Sequence, residues 1–145
     1  MSTATTTGLL MLKVLTPEGS ILEGDVSEVT IPGSEGELGV LPAHAALLTK
    51  IIPGALAYRA PDGQGTIALG RGVAEVRDDR VIVLVERAVL AEEIDAAALD
   101  IRRKQLLAER DTGLAEERLE AIDEELVLID VQLRIARPGT AEVAH

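Results

Sequence analysis

Near Ala88 the chain changes character, and this break restricts it to few architectures. Before it, from Leu9 to about Arg87, come the short runs LLMLKVL, VSEVTI, ALAYRA, TIALG, GVAEV and VIVLVE. Turn signals at Thr16 to Gly19, Pro61 to Gly63, Gly70 to Gly72 and Arg77 to Asp79 divide them. Branched aliphatic residues suit a pleated surface, while Gly, Pro and Asp supply turn dihedrals, so the spacing predicts an all-β sandwich or barrel. After the break Gly and Pro almost vanish, and Ala, Leu, Glu and Arg favour helix. Asp95 is a candidate N-cap for a helix from Ala96 to about Arg110, and Asp111 to Gly113 interrupts it. A second helix then runs from about Leu114 to Ala136, stopped by Pro138 and Gly139. So short a break leaves the two antiparallel, as a hairpin. The chain is therefore expected to be a β domain over residues 1–87 and a helical hairpin over 88–145, with frayed residues at Met1 to Gly8 and from about 138 onward.

Patterning is uneven in the two halves. Val26, Glu28 and Thr30 alternate only loosely with Ser27, Val29 and Ile31, which leaves their buried face unassigned. Val81 to Val85 is apolar throughout and reads as a central strand. In the second helix Ala115, Leu119, Ile122, Leu126, Ile129, Leu133 and Ala136 recur at intervals of four and three, forming an a/d seam. Leu128, Val131 and Ile135 form a second row. One row can cover the first helix, and the other must meet the sandwich or a partner. Asp100 with Lys104, and Asp130 with Arg134, stand at favourable i,i+4 spacing on what read as solvated faces.

Hydrophobic residues make up 47% of the 145, yet Tyr58 is the one aromatic, so Val, Ile, Leu and Ala must build the core. The absence of cysteine excludes disulfides and thiolate chemistry. A net charge of −11, with no basic stripe and no stacking aromatics, argues against nucleic acid as a partner. No apolar run approaches the roughly 20 residues of a membrane helix, and residues 1–8 lack the regions of a signal peptide. Membrane association is expected through a protein partner.

Reaction chemistry is hard to find. Gly63 to Gly65 and Gly70 to Gly72 lack the remainder of a phosphate loop or dinucleotide turn and read as hairpin turns. Ser34 lies in PGSEG, where Pro32 replaces the first glycine of a nucleophile elbow. His44 and His145 are too few for a metal cluster, and His44 reads as a hydrogen-bonded structural residue. Glu35 and Glu37 sit on a glycine-rich turn with nothing nearby to raise a carboxyl pKa, so they read as an interaction surface.

The stretch Gly33 to Thr49, GSEGELGVLPAHAALLT, resembles the central signature of the epsilon subunit of F-type ATP synthases, and the similarity extends along nearly the whole chain. The resemblance implies a sandwich of about ten strands followed by an antiparallel two-helix hairpin. It also implies a noncatalytic rotor subunit that binds gamma, sits on the ring of c subunits and couples proton translocation to ATP synthesis. Ser34, Glu35, Gly36, Glu37 and His44 become the expected contacts to c-ring and gamma, with Glu37 foremost. The hairpin is expected to lie against the sandwich or to extend toward the catalytic alpha and beta subunits and slow ATP hydrolysis, with Arg134 and Arg137 as its cations. The location implied is the cytoplasmic face of a bacterial plasma membrane, peripherally bound, and the isolated chain is expected to be monomeric.

Two departures qualify this. Some relatives bind ATP on the folded hairpin through an [IL]-D-x-x-R-A motif. Here Ile94 and Asp95 match, but Ala98 and Leu99 replace the arginine and alanine, and Gln105, Leu128 and Gln132 stand where later arginines are expected. With no cofactor implied otherwise, ATP binding is expected to be weak or absent, though Arg102 and Arg103 could supply charge. From Leu114 to Arg137, moreover, three arginines face seven acids, so inhibition is expected to be weaker or to rest on apolar contacts. The alternative from another class is a stand-alone adaptor or chaperone-like module that dimerises through Leu119 to Leu133.

Overall fold

The computed structural model describes residues 8–137; the ends read as frayed, and His145, fall largely or wholly outside them. Ten strands come first: β1 Leu10–Thr16, β2 Gly19–Val26, β3 Glu28–Gly33, β4 Gly36–Val40, β5 Leu47–Ile51, β6 Gly54–Ala60, β7 Gly63–Leu69, β8 Gly72–Arg77, β9 Arg80–Val85 and β10 Ala88–Leu90. They form one sheet in the order β10-β7-β6-β3-β5-β8-β9-β1-β2, with β4 attached to β3. All neighbours are antiparallel except β1 and β9, where Met11 to Leu15 run parallel to Arg80 to Leu84. The sheet wraps until β2 and β10 meet, enclosing one core, as the sequence led us to expect of an all-β domain.

That core is aliphatic. Leu10, Leu12 and Val14 from β1, Ala74 and Val76 from β8, and Val81, Val83 and Val85 from β9 all point inward at the two-residue period of a strand. In β3 the buried apolar residues are Val29 and Ile31, which settles the face that loose alternation had left open. Tyr58 packs at the margin of the same cluster.

Two-residue turns join several neighbours, with Thr16 opposite Gly19, Ala60 opposite Gly63, and Arg77 opposite Arg80. Asp78 and Asp79 take φ of 52° and 60°, the pair of positive values that matches a tight hairpin to strand twist. The two glycine pairs read as hairpin turns do not serve as such. Gly63 and Gly65 lie within β7, after a turn made by Pro61 and Asp62. Gly70 to Gly72 carries the chain from β7 to β8, which are not neighbours in the sheet. Gly72 is required there for another reason. A Cβ on it would stand 1.9 Å from the Leu84 carbonyl oxygen, because β8 and β9 approach too closely for any side chain.

The sheet continues past Arg87 into β10, and a 3-10 turn, Ala91–Glu93, leads to two helices, α1 Ala96–Arg110 and α2 Glu116–Ala136. The Asp95 carboxylate accepts a hydrogen bond from the Ala98 amide at 3.1 Å, capping α1 as its side-chain chemistry favours. Gly113, at φ 78°, reverses the chain. Leu114 and Ala115 stay outside α2, because Leu114 is drawn into the apolar cluster between the helices.

The helices stack in order on the sheet, with α2 inside and α1 outside. Ile122, Leu126, Ile129 and Leu133 of the seam pack on Leu99, Leu106 and Leu114. The second row, Leu128, Val131 and Ile135, packs on Ala68 of β7 and Val89 of β10. Both apolar faces of α2 are thus satisfied within the chain, so the seam that could have paired two copies is already occupied. No helix among the described residues is long and apolar enough to cross a membrane.

Candidate functional site

The acidic turn is a tight hairpin. Gly33 pairs with Gly36, leaving Ser34 and Glu35 as the two turn residues, and Gly36 adopts φ 118°, which only glycine takes without strain. The Ser34 amide donates to the Lys50 carbonyl at 3.0 Å, fastening the turn to β5. Ser34, Glu35, Gly36 and Glu37 are all exposed, and neither carboxylate is held by a hydrogen bond or ion pair among the described residues. The result is a rigid backbone that presents two solvated carboxylates.

His44 is elsewhere. It follows Val40, the far end of β4, roughly 17 Å along a five-residue strand from the acidic turn. There the Asp79 carboxylate accepts the Ala43 amide at 2.7 Å and holds Ala43 at φ 68°. The His44 amide donates to the Leu41 carbonyl, and its Nδ1 lies 2.8 Å from the Ala45 carbonyl. A carbonyl can only accept, so Nδ1 is the donor in this contact. The five residues taken as one contact set therefore split between opposite ends of β4.

Sequence reading missed a third feature. On β5, β8, β9 and β1 the residues between the core positions face outward, and many are apolar. Register sets Lys50, Val73, Leu84 and Leu15 side by side, and Leu48, Glu75, Ile82 and Lys13 in the next row. Leu48 is 72% exposed and Leu84 47%, with Val73 and Met11 also exposed. The signal was present in VIVLVE, where both parities are apolar. A continuous apolar run marks a strand covered on both faces. Here the described residues cover one face only, and the exposed patch is of the kind that marks a binding surface.

Between α2 and the sheet margin lies a cleft of about 510 Å³, with Arg71 and Arg87 on one side and Asp123, Glu124 and Glu125 on the other. Arg71 pairs with Glu124 across it. Of the residues considered for a nucleotide, Asp95 is used as the N-cap, Ile94 is half-buried, and Leu128 and Gln132 are buried. Arg102 binds Glu125 and Arg103 binds Asp130, so neither cation is unengaged.

The helix charges remain largely solvated, but the acids pair across the hairpin and not with their i,i+4 neighbours. Asp100 meets Arg137 at 2.8 Å and Asp130 meets Arg103 at 3.3 Å, in place of Lys104 and Arg134. Arg110 meets Asp123, and Arg118 meets Glu109 with two short hydrogen bonds. Hydrogen bonding from arginine holds the Asp100, Glu109 and Glu125 carboxyls below their ordinary range, against an opposing effect of burial. Arg137 is thus clasped, while among the described residues Arg134 reaches only the Asp130 carbonyl, at 3.4 Å.

Among the described residues no group of His, Asp or Glu is placed to hold a metal ion. Residues 9–91 match the family model described as the ATP synthase, Delta/Epsilon chain, beta-sandwich domain. The ATP synthase epsilon chain of Magnetococcus marinus is 39% identical over 84% of this chain and 90% of its own length. That of Persephonella marina is 40% identical over 78% and 81%. A chain in the Euglena gracilis mitochondrial ATP synthase assembly of OSCP, F1 and c-ring superposes with a TM-score of 0.74 at 26% identity, covering 89% of this chain and 81% of that one. A chain in the Tetrahymena thermophila central stalk and c-ring structure shares the fold, with a TM-score of 0.54 at 17% identity.

Proposed function

This chain belongs to the ATP synthase delta/epsilon chain family, and from that premise we propose that it is a noncatalytic central-stalk subunit joining gamma to the c-ring. In that role it couples proton translocation to ATP synthesis made by other subunits, from the cytoplasmic face of a bacterial plasma membrane. The observation that carries the reading is the outward apolar surface of β5, β8, β9 and β1, which nothing among the described residues covers. Contiguous exposed apolar surface is what a binding module presents to a partner.

The acidic turn at Ser34, Glu35, Gly36 and Glu37 is the c-ring contact in this proposal, and the apolar surface with the His44 end is the gamma contact. A fixed backbone with free carboxylates suits polar loops, and exposed leucines suit an apolar partner face. The hairpin is the regulatory part, its docked form leaving hydrolysis free. The clasp on Arg137 and the acid excess of α2 favour weak contact with the alpha and beta subunits. ATP binds the hairpin weakly or not at all, since Arg102 and Arg103 are already paired.

The test is reconstitution. Membranes and catalytic sector depleted of epsilon are mixed with this protein, and ATP-driven proton pumping and gamma binding are followed. Restored pumping with stoichiometric gamma binding supports the proposal. Failure to bind gamma while the fold is intact by circular dichroism sinks it and favours the adaptor.

A further inference from the structure

Ala43 stands at a position that disfavours alanine. The His44 amide donates to the Leu41 carbonyl at 3.1 Å, closing a four-residue turn with Pro42 and Ala43 at its centre. The proline ring keeps Pro42 at negative φ and Ala43 takes φ 68°, as in a type II turn. The second central position of that turn is ordinarily glycine or asparagine, because a Cβ there crowds the following carbonyl. A strained residue of this kind persists only where its surroundings fix it.

Asp79 supplies the constraint from another part of the sheet. It is the second residue of the β8–β9 turn, is half-buried, and accepts the Ala43 amide on its carboxylate. Its own carbonyl accepts the Met11 amide at 2.9 Å. One residue thus joins the turn after β4, the β8–β9 hairpin and the start of β1. Asp79 is itself at φ 60°, a region that aspartate enters more readily than most residues.

The turn held in this way is no part of the core. Residues 41–46 add nothing to the apolar cluster enclosed by the sheet, although Val40 before them and Leu47 after them both belong to it or pack on it. Leu41 is instead 59% exposed, and the turn leads into β5, where Leu48 opens the outward apolar face. Met11, tied to the backbone of Asp79, is an exposed member of the same face.

We infer that Asp79 is a positioning residue for the gamma contact: by holding Ala43 in the left-handed region, its carboxylate fixes Leu41 and His44 in the arrangement that gamma meets. This rests on the assignment of the His44 end to gamma proposed above. Without the carboxylate, the preference of alanine for negative φ lets the turn populate other forms. Affinity then falls in proportion to the fraction that stays competent to bind.

The test is calorimetry of gamma binding with variants of the full chain. Asp79→Gly keeps the β8–β9 turn, since glycine takes positive φ freely, and removes only the carboxylate. It should bind gamma about tenfold more weakly. Asp79→Asn retains an oxygen acceptor and should bind within about threefold of the natural chain. Ala43→Gly relieves the strained position, so adding it to Asp79→Gly should restore binding to within about threefold. A general loss of stability would not be mended by a second glycine.

The free chain gives a reading that needs no partner. Exchange of the His44 amide, followed by NMR, should quicken about tenfold in Asp79→Gly and slow again in the double variant. Equal gamma binding by Asp79→Gly and the natural chain, no rescue by Ala43→Gly, or unchanged exchange at His44 overturns the inference and leaves the gamma contact standing. If the natural chain itself fails to bind gamma, the contact falls and this role falls with it.

Discussion

Arg102 of α1 and Glu125 of α2 are joined by two parallel hydrogen bonds, Nε to Oε2 at 2.8 Å and Nη2 to Oε1 at 3.0 Å. This fork geometry is the strongest form an arginine–carboxylate pair takes, and Glu109 with Arg118 repeats it nearer the turn.

These pairs make the hairpin sensitive to acid. Glu125, Glu109 and Asp100 titrate below their unfolded values of about 4, so their stabilisation is complete above that range and is lost as pH falls through the lower folded values. Thermal melts followed by helical circular dichroism should show an early, hairpin-only transition at pH 3 that is absent at pH 7. In the triple variant Arg102→Gln, Arg118→Gln, Arg137→Gln, the two melts should converge.

The outward leucines should carry affinity and no stability. Leu48→Asp with Leu84→Asp removes apolar contact from an exposed face, so the melting temperature should change by no more than a few degrees. Binding to gamma, measured by calorimetry, should weaken by about tenfold or more per residue if both lie near the centre of the interface.

Charge reversal at the turn should separate coupling from assembly. Glu37→Lys leaves the Gly33 to Gly36 hairpin intact, since its side chain makes no bond there. Gamma should bind normally while ATP-driven proton pumping in reconstituted membranes falls relative to ATP hydrolysis.

Close strand approach predicts an unequal pair of glycine substitutions. Gly72→Ala drives a Cβ into the Leu84 carbonyl and should cost about 3 kcal/mol or more in urea unfolding. Gly24→Ala meets nothing within 4 Å and should change stability by about 0.5 kcal/mol or less.

Truncation should be sensitive to the seven residues 88–94, which hold β10. A chain ending at Ile94 keeps β10 and should retain a cooperative β-domain melt. A chain ending at Arg87 loses β10, strips the ladder partner from Ile67 to Leu69, and should melt lower and bind a dye for exposed apolar surface.

Local chemistry was the legible part of this sequence. Asp95 as N-cap, Gly113 as the break and the seam through Ile122, Leu126 and Ile129 all follow from side chains acting on their own backbone or helix face. The bounds of α1 were read to the residue for that reason. Pairing between distant segments was not legible. Nothing near Gly70 to Gly72 reveals that β7 and β8 lie apart in the sheet, and nothing near Asp100 reveals that Arg137, rather than Lys104, is its partner. The acidic turn was visible in its glycines, yet the separation of His44 from it depends on the length of β4.

The parallel pairing of β1 with β9 sets a schedule for synthesis. Met11 finds its partner at Arg80, and at roughly 5–20 residues per second the ribosome takes several seconds to make the chain between them. β1 and β2 can meet as soon as they emerge, but the pocket that receives Leu10, Leu12 and Val14 does not exist until β9 has left the exit tunnel. β1, made before the other described strands, is thus among the last to be buried, and the helical hairpin, whose contacts are local, arrives when only docking remains.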